Sequence, residues 1–118
     1  MIRLKRAYEP AAPSDGRRIL VERLWPRGLT KAAVALDAWR KELAPSPELR
    51  TWFAHDPTKW DDFCARYRAE LGLRVDELRA LRDDARTETI TFVYAARDEQ
   101  HNSARLLKEF IEQLPDGP

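Results

Sequence analysis

Alternating and continuous apolar segments predict three β-strands. Residues 2–8 alternate the apolar Ile2 and Leu4 with basic side chains, a period of two that is typical of an edge strand with one solvent-exposed face. Residues 18–24 predict a second, more buried strand. Residues 89–95 are so rich in β-branched and aromatic side chains that we expect a central strand covered on both faces.

The segment between the second and third strands has helical patterning. Thr30 can cap a turn or short helix through Asp37, and residues 39–43 continue as a helical or irregular stretch. Ser46-Pro47-Glu48 combines a cap, a proline at the first helical position and an acid in the first turn, so it predicts a helix start. Asp56-Pro57 repeats this signal before an apolar stripe that must face a core: Trp60, Phe63, Cys64, Tyr67 and Leu71.

Two further helices follow. Gly72 ends or bends the preceding helix, and an apolar pattern over residues 75–81 predicts the next one. Asn102 or Ser103 caps the last helix, which residues 115–118 stop. The buried side of that helix consists of Leu106, Leu107, Phe110, Ile111 and Leu114.

The order strand, strand, helices, strand, helix indicates the α/β class. The long helical segment before the third strand fits a crossover between parallel neighbours. We predict a small single domain over residues 1–118, with a mostly parallel central sheet of about three to four strands covered by helices. The loop between the first two strands is shorter than a usual crossover, so their relative direction stays open.

Composition restricts the partners. The chain has 21 basic and 20 acidic residues, a formal net charge of +1, so its total charge does not suggest attraction to nucleic acid or anionic lipid. The lone Cys64 excludes an internal disulfide, and no secretory signal is visible at the start, so we expect a cytoplasmic protein. Apolar runs are too short to cross a membrane, so we also expect solubility and no membrane partner.

Polar side chains cluster after the second and third predicted strands, where α/β folds place ligands. The first cluster contains Arg23, Trp25 and Arg27, and the second contains Arg97 and Asn102 behind the strand residue Tyr94. If both strands run parallel, the two clusters share one crevice that attracts a phosphate or carboxylate. In this hypothesis the first two arginines clamp the anion, and an indole or phenol ring stacks on the ligand.

An internal network is the alternative interpretation of the same residues. In that case Arg23 and Arg27 pair with Asp98 and Glu99, and Asn102 only caps the last helix. Both interpretations stay open at the level of sequence.

Histidine is the residue best suited to proton transfer at neutral pH. His101, beside a carboxylate in the expected crevice, is the candidate general acid or base, and Glu22 is the second candidate. His55 is better explained by the turn before the Asp56 cap. Cys64 should be a buried, inert thiol. We predict no metal and no cofactor, because no ligand spacing, Walker loop or dinucleotide loop is present.

Four strings carry a family resemblance. They are RLWPRG at residues 23–28, APSPELR at 44–50, WFAHDPTKW at 52–60 and YAARDEQHN at 94–102. Together they resemble the YeaO-type bacterial proteins, the domain of unknown function 488 family, over nearly the whole chain. The resemblance implies a compact cytoplasmic α/β domain and no settled activity. The family pattern has Asp where this chain has Glu22 and Lys where it has Arg97.

The favoured function is a domain that binds a small anionic ligand, bearing phosphate or carboxylate and resembling a nucleotide, in the strand-end crevice. A hydrolase or transferase would suit such a site, but whether any reaction occurs stays open, as does the oligomeric state. The alternative is a nucleic-acid-binding or protein-interaction module. It would use the basic side chains of the amino-terminal edge, namely Arg3, Lys5, Arg6, Arg17 and Arg18.

Overall fold

The computed structural model describes residues 1–115, and at its centre lies a four-stranded parallel sheet in the order β1-β4-β2-β3. All five residues of β4 are buried, and β4 pairs with β1 on one side and β2 on the other. The expected α/β class, the edge position of β1 and the central strand are confirmed. The strands are β1 (Ile2–Arg6), β2 (Arg17–Leu20), β3 (Ala38–Trp39) and β4 (Ile90–Tyr94).

The loop between β1 and β2 carries the chain past β4. Both strands run parallel to β4, so they are parallel to each other without being neighbours, which settles the direction that the sequence left open. Gly16, immediately before β2, has a φ of 64°, and a Cβ added there would lie 2.2 Å from the carbonyl oxygen of Thr89. Glycine is therefore required for this close approach of two backbone segments.

The second strand is shorter than predicted, because it ends at Leu20 and not at residue 24. The amide of Val21 still donates to the carbonyl of Val93 at 3.1 Å. The chain then leaves the sheet, and the side chain of Glu22, not another strand residue, accepts the hydrogen bond from the Ala95 amide.

The predicted helical or irregular stretch 39–43 is wrong at its start, because Ala38–Trp39 forms β3 beside β2. The amide of Arg40 donates to the carbonyl of Leu20 at 2.9 Å, which completes the pairing. A strand of two residues is too short to display a period of two, so the pattern carried no signal for it. Lys41–Leu43 forms a 3₁₀ turn, as a helical stretch would require.

Within residues 1–115 five α-helices cover the sheet, and all four predicted caps are present. Thr30, Ser46, Asp56 and Asn102 each accept a hydrogen bond from a backbone amide two or three residues further along. No helix within residues 1–115 is long and apolar enough to cross a membrane. Residues 116–118 of the predicted helix stop lie outside the described part. The helices are α1 (Lys31–Val34), α2 (Pro47–Phe53), α3 (Trp60–Leu71), α4 (Val75–Asp84) and α5 (Ser103–Glu112).

The core lies on both faces of the sheet. On one face Phe92 packs with Tyr67 of α3 and Leu107 of α5, within a cluster that also includes residues of α2 and α4. On the other face Val93 packs with Val34 of α1 and with the loops around it. The expectation that β4 is covered on both faces is confirmed.

Candidate functional site

A cavity of about 340 Å³ lies at the carboxyl ends of β2 and β4. Glu22 comes from the segment after β2, while Ala95 and Ala96 follow β4 directly. Parallel α/β sheets place ligand sites outside these strand ends. The remaining walls come from the loop before α2, from α2 and the turn after it, from α3 and from the turns around the start of α5. Their lining residues are Pro45, Arg50, Phe53, His55, Trp60, Phe63, His101, Asn102 and Ser103.

Glu22 is held across the strand ends by its carboxylate. Its Oε1 accepts a hydrogen bond from the Ala95 amide at 3.0 Å. Within residues 1–115 the other oxygen, Oε2, has no hydrogen-bond or ion-pair partner. Burial raises the pKa of Glu22, although the Ala95 amide and the Arg50 guanidinium act in the opposite direction. The cavity therefore contains an acceptor oxygen that the described protein does not use.

Three aromatic rings form an apolar wall of the cavity. The ring centroids of Phe53 and Phe63 are 4.5 Å apart, and Trp60 stacks on Phe63 at 5.4 Å. The imidazole of His101 meets Trp60 edge-on at 5.2 Å. Such a wall presents flat apolar surface beside the polar groups of the cavity, which is a usual composition for small-molecule sites.

The turn after β4 fixes His101. The carboxylate of Asp98 accepts from the amides of Gln100 and His101 at 2.9 and 3.0 Å, and its second oxygen lies 3.1 Å from His101 Nδ1. These bonds lower the pKa of Asp98, the bond from the His101 amide most of all. Asn102 then caps α5, because its side-chain oxygen accepts from the Arg105 amide at 2.9 Å.

His55 lies in a strained turn. Ala54 and His55 have φ values of 48° and 57°, left-handed conformations that non-glycine residues rarely adopt. Each costs on the order of 1–3 kcal/mol, and such residues concentrate at functional sites. The turn leads into the Asp56 cap, as the sequence indicated. His55 also lines a second cavity of about 390 Å³, which adjoins the first and includes Asp61 and Asp98.

The structure brings together some of the residues that the sequence singled out. Glu22, His101 and Asn102 line the same cavity. Tyr94 is 4% exposed, lies in the main core cluster and is not among the lining residues. Burial raises the pKa of its hydroxyl. The expectation of a stacking face at Tyr94 therefore does not match its position.

The four other expected ligand-binding residues lie away from this cavity. Arg23 donates to the carbonyls of Pro45 and Ala44 at 3.1 and 3.4 Å, and it lines a different cavity. The indole of Trp25 donates to the Leu29 carbonyl at 2.7 Å and packs edge-on against another tryptophan. Arg27 and Arg97 are exposed and do not line the cavity. The predicted convergence of three arginines on His101 is thus not what the structure shows.

The alternative internal network is wrong in its ion pairs. The partner of Asp98 is His101, and within the described residues no ion pair joins Arg23 or Arg27 to a carboxylate. The capping role of Asn102 is confirmed, and it coexists with a position in the cavity wall.

Sequence reasoning missed Arg50 and the aromatic wall. The helical spacing of Trp60 and Phe63 predicts core positions, which is correct for Phe63 but incomplete for the half-buried Trp60. Arg50 lies on α2, far from both strand ends in sequence. The available signal was position: Arg50 and Phe53 share one face of α2 at a spacing of three.

The basic amino-terminal edge does not form one exposed stripe. Arg18 is 3% exposed and pairs with the buried Asp15 at 2.7 Å, and Lys5 pairs with the same carboxylate at 3.1 Å. Arg17 is paired with Asp84 at 2.8 Å. A nucleic-acid-binding surface on this edge would need these side chains exposed together, and the structure does not show that arrangement.

Cys64 is buried, as expected, and burial raises its thiol pKa, so it is a poor nucleophile at neutral pH. Across residues 1–115, no group of three or more His, Cys, Asp and Glu side chains is placed to hold a metal ion.

Comparisons of the sequence with known proteins assign the chain to a family. Residues 1–116 match the model described as the Inactive DUF488-N3 subclade. The chain is 42% identical over 113 residues to the uncharacterized protein YeaO of Escherichia coli (strain K12), covering 96% of this chain and 98% of that protein. It is 38% identical over 112 residues to the uncharacterized protein Rv3073c of Mycobacterium tuberculosis, covering 93% and 92%. No solved structure matches the chain significantly.

Proposed function

The chain belongs to the DUF488 family, in the subclade described as inactive, and on this premise we propose that it binds a small anionic ligand without converting it. The observation that carries the proposal is the cavity at the ends of β2 and β4. It combines a guanidinium, two imidazoles and the start of a helix with an aromatic wall. Clefts of this size with few convergent polar groups are typical of small-molecule sites.

The anionic part of the ligand belongs near α5 and Arg50. Ser103, the first residue of α5, lines the cavity, and the first amides of a helix have no intrahelical acceptor. Helix amino termini attract phosphate and carboxylate groups through these amides and the helix dipole. Arg50 adds a permanent charge, and His55 and His101 supply N–H donors from neighbouring walls.

The apolar part of the ligand belongs against the ring wall. Phe53, Trp60 and Phe63 provide flat surfaces on which a planar group can stack. An anion joined to a planar ring describes a nucleotide-like molecule or an aromatic carboxylate. This is the ligand class that the strand-end clusters indicated, with Arg50 in place of Arg23, Arg27 and Arg97.

Binding is favoured over turnover by the absence of an activated nucleophile. Cys64 is buried, with a raised thiol pKa. Ser103 lines the cavity, but within residues 1–115 its hydroxyl has no hydrogen bond to His101. The imidazole of His101 is oriented by Asp98 without a group to activate. The hydrolase and transferase hypotheses therefore have no support in the site, which agrees with the description of the subclade.

A thermal-shift panel tests the proposal. Inorganic phosphate, nucleoside monophosphates and aromatic carboxylates are added to the parent chain, and a bound ligand at 100 times its Kd should add about 2.7 kcal/mol of stability. Arg50→Ala should abolish the shift. The matched control is Arg27→Ala, which removes an exposed guanidinium outside the cavity and should leave the shift unchanged.

Two results would contradict the proposal. The first is that no member of the panel raises the melting temperature of the parent. The second is that ligands still raise the melting temperature of Arg50→Ala as they do that of the parent, but no longer raise that of Arg27→Ala. That result would indicate that the anion binds at the loop after β2.

A further inference from the structure

Glu22 contributes an acceptor that an anionic group would not use. We propose that the ligand carries, beside its anionic group, a planar ring with adjacent N–H donors, and that Glu22 selects this ring by accepting from them. The inference rests on the proposed function and adds to it the chemical identity of the ring. Glu22 would then be the specificity-determining residue of the cavity.

The hydrogen bonding of Glu22 is incomplete in the protein alone. Oε1 is fixed by the Ala95 amide at 3.0 Å, while Oε2 has no partner among residues 1–115. Arg50 lines the same cavity and influences Glu22 electrostatically, but the two form no ion pair. Glu22 is only half-buried, so Oε2 is open to the cavity, where a ligand N–H can donate to it.

The surroundings of Glu22 favour a ring as the source of those donors. The apolar rings of Phe53, Trp60 and Phe63 line the same cavity, so a flat ligand can stack while its edge faces the carboxylate. The start of α5 lies in another wall of the same space, where the anionic group is expected. A volume of about 340 Å³ accommodates a ring and one attached anionic group.

Donor pattern distinguishes the candidate rings. A guanine-type edge has a ring N–H next to an amino group, so both face a carboxylate favourably. An adenine-type edge has an amino group next to a ring nitrogen with a lone pair, which is repelled by the carboxylate. A hypoxanthine-type edge has the ring N–H alone and should rank between them. Sites built to hydrogen-bond a ligand group discriminate strongly against ligands that lack it.

Calorimetric titration with GMP, IMP, AMP and inorganic phosphate tests the inference. We expect the parent to bind GMP about tenfold to a hundredfold more tightly than AMP, the factor that follows from losing one hydrogen bond to a charged acceptor. Glu22→Gln keeps Oε1 for the Ala95 amide and places an amide N–H₂ where Oε2 was. This variant should lose the preference for GMP and bind AMP at least as tightly as the parent does.

Glu48→Gln is the matched control, because it makes the same chemical change on the exposed surface of α2, outside the cavity. It should retain the parent preference. If phosphate and all three nucleotides bind equally in parent and Glu22→Gln, the inference is wrong while the proposed function stands. If the parent binds AMP more tightly than GMP, the inference is likewise wrong and the proposed function stands. If nothing binds, phosphate included, both fail together.

Discussion

Phe63→Ala tests whether the cavity wall is also part of the folding core. Phe63 is 4% exposed, and its ring centroid lies 4.5 Å from Phe53, 5.4 Å from Trp60 and 6.1 Å from Tyr67. Replacing a buried phenylalanine with alanine costs about 3–5 kcal/mol, through lost transfer energy and the void left behind. Because Phe53 and Trp60 are only half-buried and can move into the space, we expect the lower part of this range, about 3–4 kcal/mol.

Urea unfolding monitored by the fluorescence of the four tryptophans measures this free energy. The midpoint should fall while the slope with denaturant is retained, which separates lost stability from a changed unfolded state. Leu73→Ala is the control, because Leu73 is 88% exposed and its loss should change the free energy of unfolding by no more than about 0.5 kcal/mol. A Phe63→Ala effect as small as that of the control would refute the assignment of the wall to the core.

Two other predictions concern Glu22 and Gly16. Burial raises the pKa of Glu22, so the folded state loses stability as the pH rises through that pKa. Glu22→Gln should therefore have a higher melting temperature than the parent at neutral pH. This difference in melting temperature should vanish below about pH 4, where Glu22 is protonated in both the folded and the unfolded state. A difference that is constant with pH in melting curves would contradict this. Gly16→Ala should cost about 2 kcal/mol or more by urea unfolding, because Gly16 has a positive φ and the added Cβ would lie 2.2 Å from the Thr89 carbonyl oxygen. Gly72→Ala, with open space around it, should be neutral or slightly stabilising, and equal effects at both glycines would contradict the account.

The elements that the sequence predicted well have strong local signals. The β-branched and aromatic run of β4 and the caps at Ser46 and Asn102 depend on neighbours within a few residues. The strand Ala38–Trp39 depends instead on pairing with β2, a contact between distant residues that no two-residue pattern can encode.

The candidate site also contains some residues that local sequence predicts and others whose positions depend on tertiary contacts. Position after a strand predicted that Glu22, His101 and Asn102 lie near the strand ends, and all three line the cavity. It could not indicate that the next residue, Arg23, turns away to the Pro45 carbonyl, because chain direction after the strand is set by tertiary contacts. Arg50 reaches the cavity only through the packing of α2 beside α3, which helical spacing alone does not determine.

The central claim is that a small anionic ligand binds at the carboxyl ends of β2 and β4. Backbone amide NMR spectra of the parent chain, recorded with increasing GMP, test it most directly. We predict saturable shifts concentrated at Glu22, Ala95, Asn102 and Ser103, the amides around the cavity. Shifts confined to the amino-terminal edge, around Arg3 and Arg17, or no shifts with any phosphate-bearing ligand, would contradict it.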